Sequence, residues 1–211
     1  MKNYVKFATA GCIMTMIFFM IVNFITSPNT LWFIYPSFFL LLWPISLYFV
    51  SKRSLKQFSF LCSLVIIAFL FTENLIHSPD YLWFLYAAYP LIWWPIIMYL
   101  EEKAYTLFVA LIGCMITIAY YSILNYLTSP EYPWAIYPAF VVMWWPLSIY
   151  HANKKSFVAY SFYASILISI FFIYVNYISS PHTIWAIYPI FAVIWWPLSM
   201  YFYVYKKKKI V

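Results

Sequence analysis

The sequence predicts an all-α integral membrane protein with eight transmembrane helices, arranged as four tandem parallel two-helix repeats of period 51. Three observations carry that expectation. One is composition: 67% of the residues are hydrophobic and 8% are charged, where soluble domains carry about 25% charge, so lipid must solvate most of the surface. Another is strict periodicity. Ser27-Pro28 recurs as Ser78-Pro79, Ser129-Pro130 and Ser180-Pro181, and Trp43-Pro44 as Trp94-Pro95, Trp145-Pro146 and Trp196-Pro197, always 51 residues on. A fixed step without insertions is one structural unit copied in tandem. The last is the placement of charge: all 12 basic residues fall on the side of the termini and the inter-repeat connectors, and none near the four Ser-Pro turns.

Each repeat (1–51, 52–102, 103–153 and 154–211, together a single membrane domain) contains two apolar segments. Val5–Thr26 has 22 residues, roughly 33 Å as a helix, long enough to span. Ser27-Pro28 then supplies an N-cap serine and a proline at the first helical position, which predicts a second helix over Pro28–Phe49. The same signals predict helices over Phe58–Ile76, Pro79–Leu100, Tyr105–Leu127, Pro130–Tyr150, Phe157–Ile178 and Pro181–Tyr205. Thr9-Ala10-Gly11-Cys12 resembles a lipoprotein cleavage box, but only about five residues lie between Lys6 and Cys12, too few for the apolar region of a signal peptide, so this segment is read as a retained span.

Eight spans bring Lys2, Lys6, Lys52, Arg53, Lys56, Lys103, Lys154, Lys155 and Lys206–Lys209 to one face, which the positive-inside rule makes cytoplasmic. The net charge of +7 therefore reports membrane topology and not nucleic-acid binding. The expected partners are the bilayer, with anionic lipid attracted to the lysine-rich cytoplasmic face at about 1 kcal/mol per lysine, and another membrane protein.

The first helix of each repeat carries small residues four apart: Ala8 and Cys12, Ser59 and Ser63, Ala110 and Cys114, Ser161 and Ser165. Gly11, Cys62, Gly113 and Ala164 lie beside them. Helices in lipid associate by close van der Waals approach across such residues, so these positions predict a packing face and treat the cysteines as small residues without a redox role. The second helix carries interior prolines at Pro44, Pro95, Pro146 and Pro197. Each frees a carbonyl four residues back, which in lipid needs a partner from a neighbouring helix, a hydroxyl or water. Further prolines at Pro36, Pro90, Pro138 and Pro189 predict a second kink in the outer half.

Candidate site residues are few. Asn23, Asn74, Asn125 and Asn176 recur at one depth near the outer surface. They serve either as interhelical hydrogen-bonding glue or, should the repeats close around an axis, as a polar ring that binds a solute. Glu73 breaks the repeat, standing where Val22, Leu124 and Val175 stand elsewhere, with His77 four residues on and on the same helical face. An intramembrane carboxylate is a functional candidate, and an interfacial Glu-His pair is the plainer reading. The chain has one aspartate, two glycines, no His-Glu-x-x-His zinc motif and no Gly-x-Ser-x-Gly elbow, so no catalytic residue, metal or cofactor is expected.

Asn125-Tyr126-Leu127-Thr128-Ser129-Pro130, followed by Trp134, Tyr137-Pro138 and Trp145, resembles the bacterial two-transmembrane-helix domain family. The resemblance covers each 51-residue unit and departs after Trp145, where Pro146-Leu147-Ser148 replaces the family's glycine-containing run. It implies a non-catalytic membrane module that senses, scaffolds or partners another membrane protein. The alternative weighed from the residues is a small permease or channel for a neutral or apolar solute.

Overall fold

Proline and the small residues decide where these helices begin, end and touch. The computed structural model describes residues 2–206, and its regular elements are all helical among those residues. In chain order they are α1 (Lys2–Thr26), α2 (Ile34–Ser51), α3 (Leu55–His77), α4 (Phe84–Leu100), a 3-10 turn (Glu101–Tyr105), α5 (Leu107–Thr128), α6 (Ile136–Asn153), α7 (Phe157–Ser179) and α8 (Ile187–Met200). The last of these runs into a π-helical segment, Tyr201–Lys206. Among the described residues six stretches are long and apolar enough to cross a membrane: Asn3–Thr26, Ile34–Ser51, Leu55–His77, Leu107–Thr128, Phe157–Ser179 and Ile187–Val204. α4 has 17 residues, roughly 26 Å, and α6 is rich in Trp, Tyr and Pro, which lowers its apolar character. Lys207, Lys208 and Lys209 of the expected lipid-binding tail lie outside the described residues.

Packing divides the chain into two units, one ending at Glu101 and the other beginning at Glu102. In the first, α1 packs on α2, α3 on α4, and α2 on α3. In the second, α5 packs on α6, α7 on α8, and α6 on α7. The link between pairs is aromatic and alike in both units: Phe38 stacks on Phe69 and Phe140 on Phe171, each with ring centroids 4.0 Å apart.

The burial pattern inverts that of a soluble protein. Most of the buried side chains are small or polar, including Ala8, Ser59, Ala110, Ser161, Ala164 and the four asparagines. Large apolar side chains such as Phe7, Phe39, Phe60, Leu127 and Phe191 face outward. The predicted small-residue face is therefore real in both units, with one exception. A Cβ at Gly11 would meet nothing within 4 Å, so this glycine permits no close approach, although the sequence placed it on the packing face.

That face has a second duty. The Cys12 thiol donates to the Leu40 carbonyl (3.2 Å), the Ser63 hydroxyl to the Leu91 carbonyl (2.8 Å) and the Ser165 hydroxyl to the Val193 carbonyl (3.4 Å). Leu40, Leu91 and Val193 are the residues four before Pro44, Pro95 and Pro197, so the carbonyls that proline strips of their N–H partners are re-satisfied from the adjacent helix. The serines two residues beyond the prolines play no such part: Ser46 donates to the Trp43 carbonyl instead.

Two expectations about the even helices are corrected. Ser27, Ser78, Ser129 and Ser180 do not open the second helices. Ser78, Ser129 and Ser180 cap the C-termini of α3, α5 and α7, and the even helices begin five or six residues after each Ser-Pro, at Ile34, Phe84, Ile136 and Ile187. A proline immediately after a helix cannot continue it, and here that stop signal wins over the N-cap signal. With this later start, Pro36, Pro138 and Pro189 fall in the first helical turn, where a missing N–H breaks no intrahelical bond, so they do not kink the outer half. Only in α4 do two prolines, Pro90 and Pro95, lie inside the helix.

Helices α2 and α6 end alike. Ser54 N–H donates to the Phe49 carbonyl (3.0 Å) and Ser156 N–H to the His151 carbonyl (3.1 Å), the six-to-one bond of a Schellman motif. The left-handed residue in each is basic, Arg53 at φ 53° and Lys155 at φ 50°, where glycine is the usual occupant.

Candidate functional sites

A helix hairpin leaves its last carbonyls and first N–H groups without intrahelical partners. The four asparagines answer that need directly. In the first hairpin the Asn23 amide nitrogen donates to the Ser27 carbonyl (3.0 Å) and the Thr30 carbonyl (2.6 Å), while its oxygen accepts from Phe33 N–H (3.0 Å). Asn74 binds the Ser78 and Tyr81 carbonyls at 2.7 and 2.9 Å and Phe84 N–H at 2.9 Å. Asn125 repeats this with Ser129, Tyr132 and Ala135, and Asn176 with Ser180, Thr183 and Ala186. Each side chain thus ties the residues 4, 7 and 10 positions ahead of it, closing the turn and serving the N-terminus of the next helix. Asn23 and Asn74 are completely buried. These amides are committed to the backbone of their own hairpins, the glue reading within a hairpin, and their bonds point to no shared ligand.

Glu73 is buried against α2, with 9% of its surface exposed. The Tyr35 hydroxyl donates to its carboxylate (2.9 Å), and His77 Nδ1 lies 3.3 Å from the same carboxylate and 3.2 Å from the Glu73 carbonyl. The structure brings Glu73 and His77 together as the spacing predicted and adds Tyr35, which sequence separation concealed. The ring of Tyr35 stands edge-on to Phe69 (6.3 Å). In the second unit Val175 occupies the place of Glu73, and Tyr137 pairs with the Tyr132 hydroxyl instead (2.7 Å). The carboxylate is therefore an addition to one hairpin and no requirement of the fold.

A third cluster was not foreseen. His151, in the last turn of α6, is 3% exposed. Its Nδ1 lies 2.8 Å from the Ser156 hydroxyl, and its ring is flanked by Tyr150, Tyr160 and Tyr163 at centroid distances of 5.0, 5.7 and 5.3 Å. It lines a pocket of about 810 Å³ between α5, α6 and α7 whose remaining wall is mostly apolar. The signal was present in the sequence: positions 49, 100 and 202, one or two periods away, are Phe, Leu and Phe, so His151 is the polar residue at an otherwise apolar register.

At the basic connectors, Lys56 forms an ion pair with Glu101 and lies over the Tyr99 ring (5.7 Å). Hydrogen bonding from Lys56, then its charge, holds the Glu101 carboxyl below the usual carboxylate range. In the opposite turn, the Tyr86 hydroxyl bonded to that of Tyr81 raises the Tyr81 phenol above its ordinary value. Among the described residues no three His, Cys, Asp or Glu side chains converge as a metal site would require. No family model, curated protein or solved structure matches the chain.

Proposed function

We propose that the chain is an eight-span protein of the cell membrane, four tandem two-helix repeats with the basic connectors and both termini cytoplasmic, and that it works without catalysis as a sensing, scaffolding or partner-binding membrane module. The observation that carries this reading is the inverted burial pattern: large apolar side chains cover the outside, while asparagine, serine and cysteine inside are used to satisfy the helix backbone. Such use of polar groups builds a rigid scaffold, and the outer apolar surface is what lipid or another membrane helix packs against. The likeness of Asn125–Pro130, Trp134 and Tyr137-Pro138 to the bacterial two-transmembrane-helix domain supports the same reading.

Two measurements test it. Single cysteines placed at Asn29, Asp80, Glu131 and His182 should react with an impermeant thiol reagent in intact cells, and cysteines at Arg53 and Lys155 should react only after permeabilisation. The native Cys12, Cys62 and Cys114 are buried and give little background. Reaction of any turn position only after permeabilisation overturns the topology. For the partner role, cross-linking in native membranes should recover one defined second membrane protein, and recovery of self-contacts alone speaks against it. A permease for a neutral or apolar solute is the competing reading. With the asparagine amides committed to their hairpins, its path would have to run past Glu73 and Tyr35, so Glu73→Gln would change solute flux in reconstituted vesicles.

A further inference from the structure

The two units are offset by two periods, 102 residues, which allows the pocket of the second to be compared with the same place in the first. Four lining residues differ in kind. His151 stands where the first unit has Phe49, Ala159 where it has Gln57, Tyr163 where it has Leu61, and Leu111 where it has Thr9. In the first unit Phe49 packs its ring towards Phe58 at 6.3 Å. The Schellman ending of α2 and α6 is common to both, so the fold does not need the histidine. A large side chain has been exchanged for a small one, two apolar side chains for polar ones, and one hydroxyl for an apolar chain, all beside a single pocket.

That pocket has two chemically distinct ends. Its body is formed by Leu107, Leu111, Ile118, Met143 and Leu147. Its polar lining is His151, Tyr163, Ser156 and Lys154; His151 is buried, whereas Lys154 is exposed and donates to the Tyr150 hydroxyl (2.7 Å). Ser156 occupies the N-cap of α7 but engages His151 and makes no side-chain cap, so the positive end of the α7 dipole adds to the lysine charge at the mouth. The volume of about 810 Å³ lies within the range of small-molecule sites.

We infer that this pocket binds a membrane lipid with an anionic headgroup, one acyl chain lying among the leucines and the headgroup held by Lys154 at the N-terminus of α7, with the buried His151 behind it. The charge at the mouth selects an anion. The apolar body selects a chain, and its position between helices rests on the membrane-spanning reading proposed above. The site is distinct from the general attraction of a basic face for anionic lipid, because the corresponding positions of the first unit hold Phe49, Gln57 and Leu61.

The test uses the full-length protein purified in mild detergent and mixed with spin-labelled phosphatidylglycerol or phosphatidylcholine, with lipid retention also followed by native mass spectrometry. Phosphatidylglycerol should be retained in preference, at about one lipid per chain. Lys154→Gln should lower that preference about fivefold, the effect expected of one lysine near an anionic surface, whereas Lys52→Gln at the corresponding place of the first unit should leave it unchanged. Ala159→Trp should fill the pocket and abolish retention. Should that variant fail to fold, the pair His151→Phe and Ala159→Gln restores residues the first unit already accommodates and should act alike. Equal retention of the two lipids, undiminished retention in the filled-pocket variants, or displacement by inorganic phosphate alone would each overturn the assignment, the last by making it a free-anion site. Recovery of the protein in the aqueous fraction of lysed cells would overturn the membrane reading, and this inference with it, before any lipid is measured.

Discussion

Replacing Asn74 by alanine removes three hydrogen bonds at once, to the Ser78 carbonyl, the Tyr81 carbonyl and Phe84 N–H. Hydrogen bonds within membrane proteins average about 0.6 kcal/mol, and an ordinary protein hydrogen bond contributes about 0.5–1.5 kcal/mol. Three of them, all part-buried, give an expected loss between about 2 and 4 kcal/mol. Asn74→Asp separates the contributions. It keeps the acceptor for Phe84 N–H but sets a carboxylate against two carbonyls, so it should cost at least as much as alanine. The assay is reversible unfolding in mixed micelles, with hydrogen exchange at the Phe84 amide as a local readout. Asn29→Ala, in an exposed turn, serves as the control and should change stability by less than about 0.5 kcal/mol. An Asn74→Ala protein as stable as this control, with Phe84 protected as before, would refute the hairpin role of the asparagines.

Other expectations can be checked with the same unfolding measurement. Ser63→Ala should cost about 1 kcal/mol by leaving the Leu91 carbonyl without its donor, and much less in a Pro95→Ala background, where the restored N–H of residue 95 serves that carbonyl; strict additivity of the two changes would disprove the link. Gly11→Ala should stabilise α1 by about 0.5–1 kcal/mol because its Cβ enters open space, whereas Ala164→Leu, at a completely buried position, should destabilise by about 1–3 kcal/mol; the opposite order would contradict the packing described. The Glu101 carboxyl is depressed by Lys56, so the contribution of this pair is present above the ordinary value of 4.5 and is lost as pH falls through the lower folded value. Glu101→Gln should flatten that acid limb, and raised salt should do the same, since both partners are exposed to solvent.

Much of this structure is legible in the sequence because the membrane-spanning reading carries two strict rules, long apolar helices and satisfied backbones. The small-residue faces at Ser59 and Ser63 or Ser161 and Ser165 follow from the first of these. The demand that prolines 44, 95 and 197 place on a neighbouring helix follows from the second, although the identity of the donors does not: Cys12 and Leu40 lie 28 residues apart, and only the packed pair brings them together. The even-helix starts were misplaced because Ser-Pro carries two opposed signals, an N-cap and a helix stop. The choice between them is made by an asparagine four residues earlier, whose amide rewards the longer turn. Glu73 and His77 lie one helical turn apart and so could be paired by spacing alone, whereas Tyr35 could not. His151 was overlooked because it sits beside a basic connector, and its departure from the repeat becomes meaningful only once it is seen to be buried.

The asparagine corner has a consequence for how such a chain grows. All the donors and acceptors of the first corner lie between Asn23 and Phe33, so the corner finishes its own polar wiring without borrowing from another hairpin. A segment of that kind can be copied, excised or pasted in tandem without stranding a polar group in oil. Mutation is then free to specialise individual copies, as Glu73 of one hairpin and His151 of another illustrate.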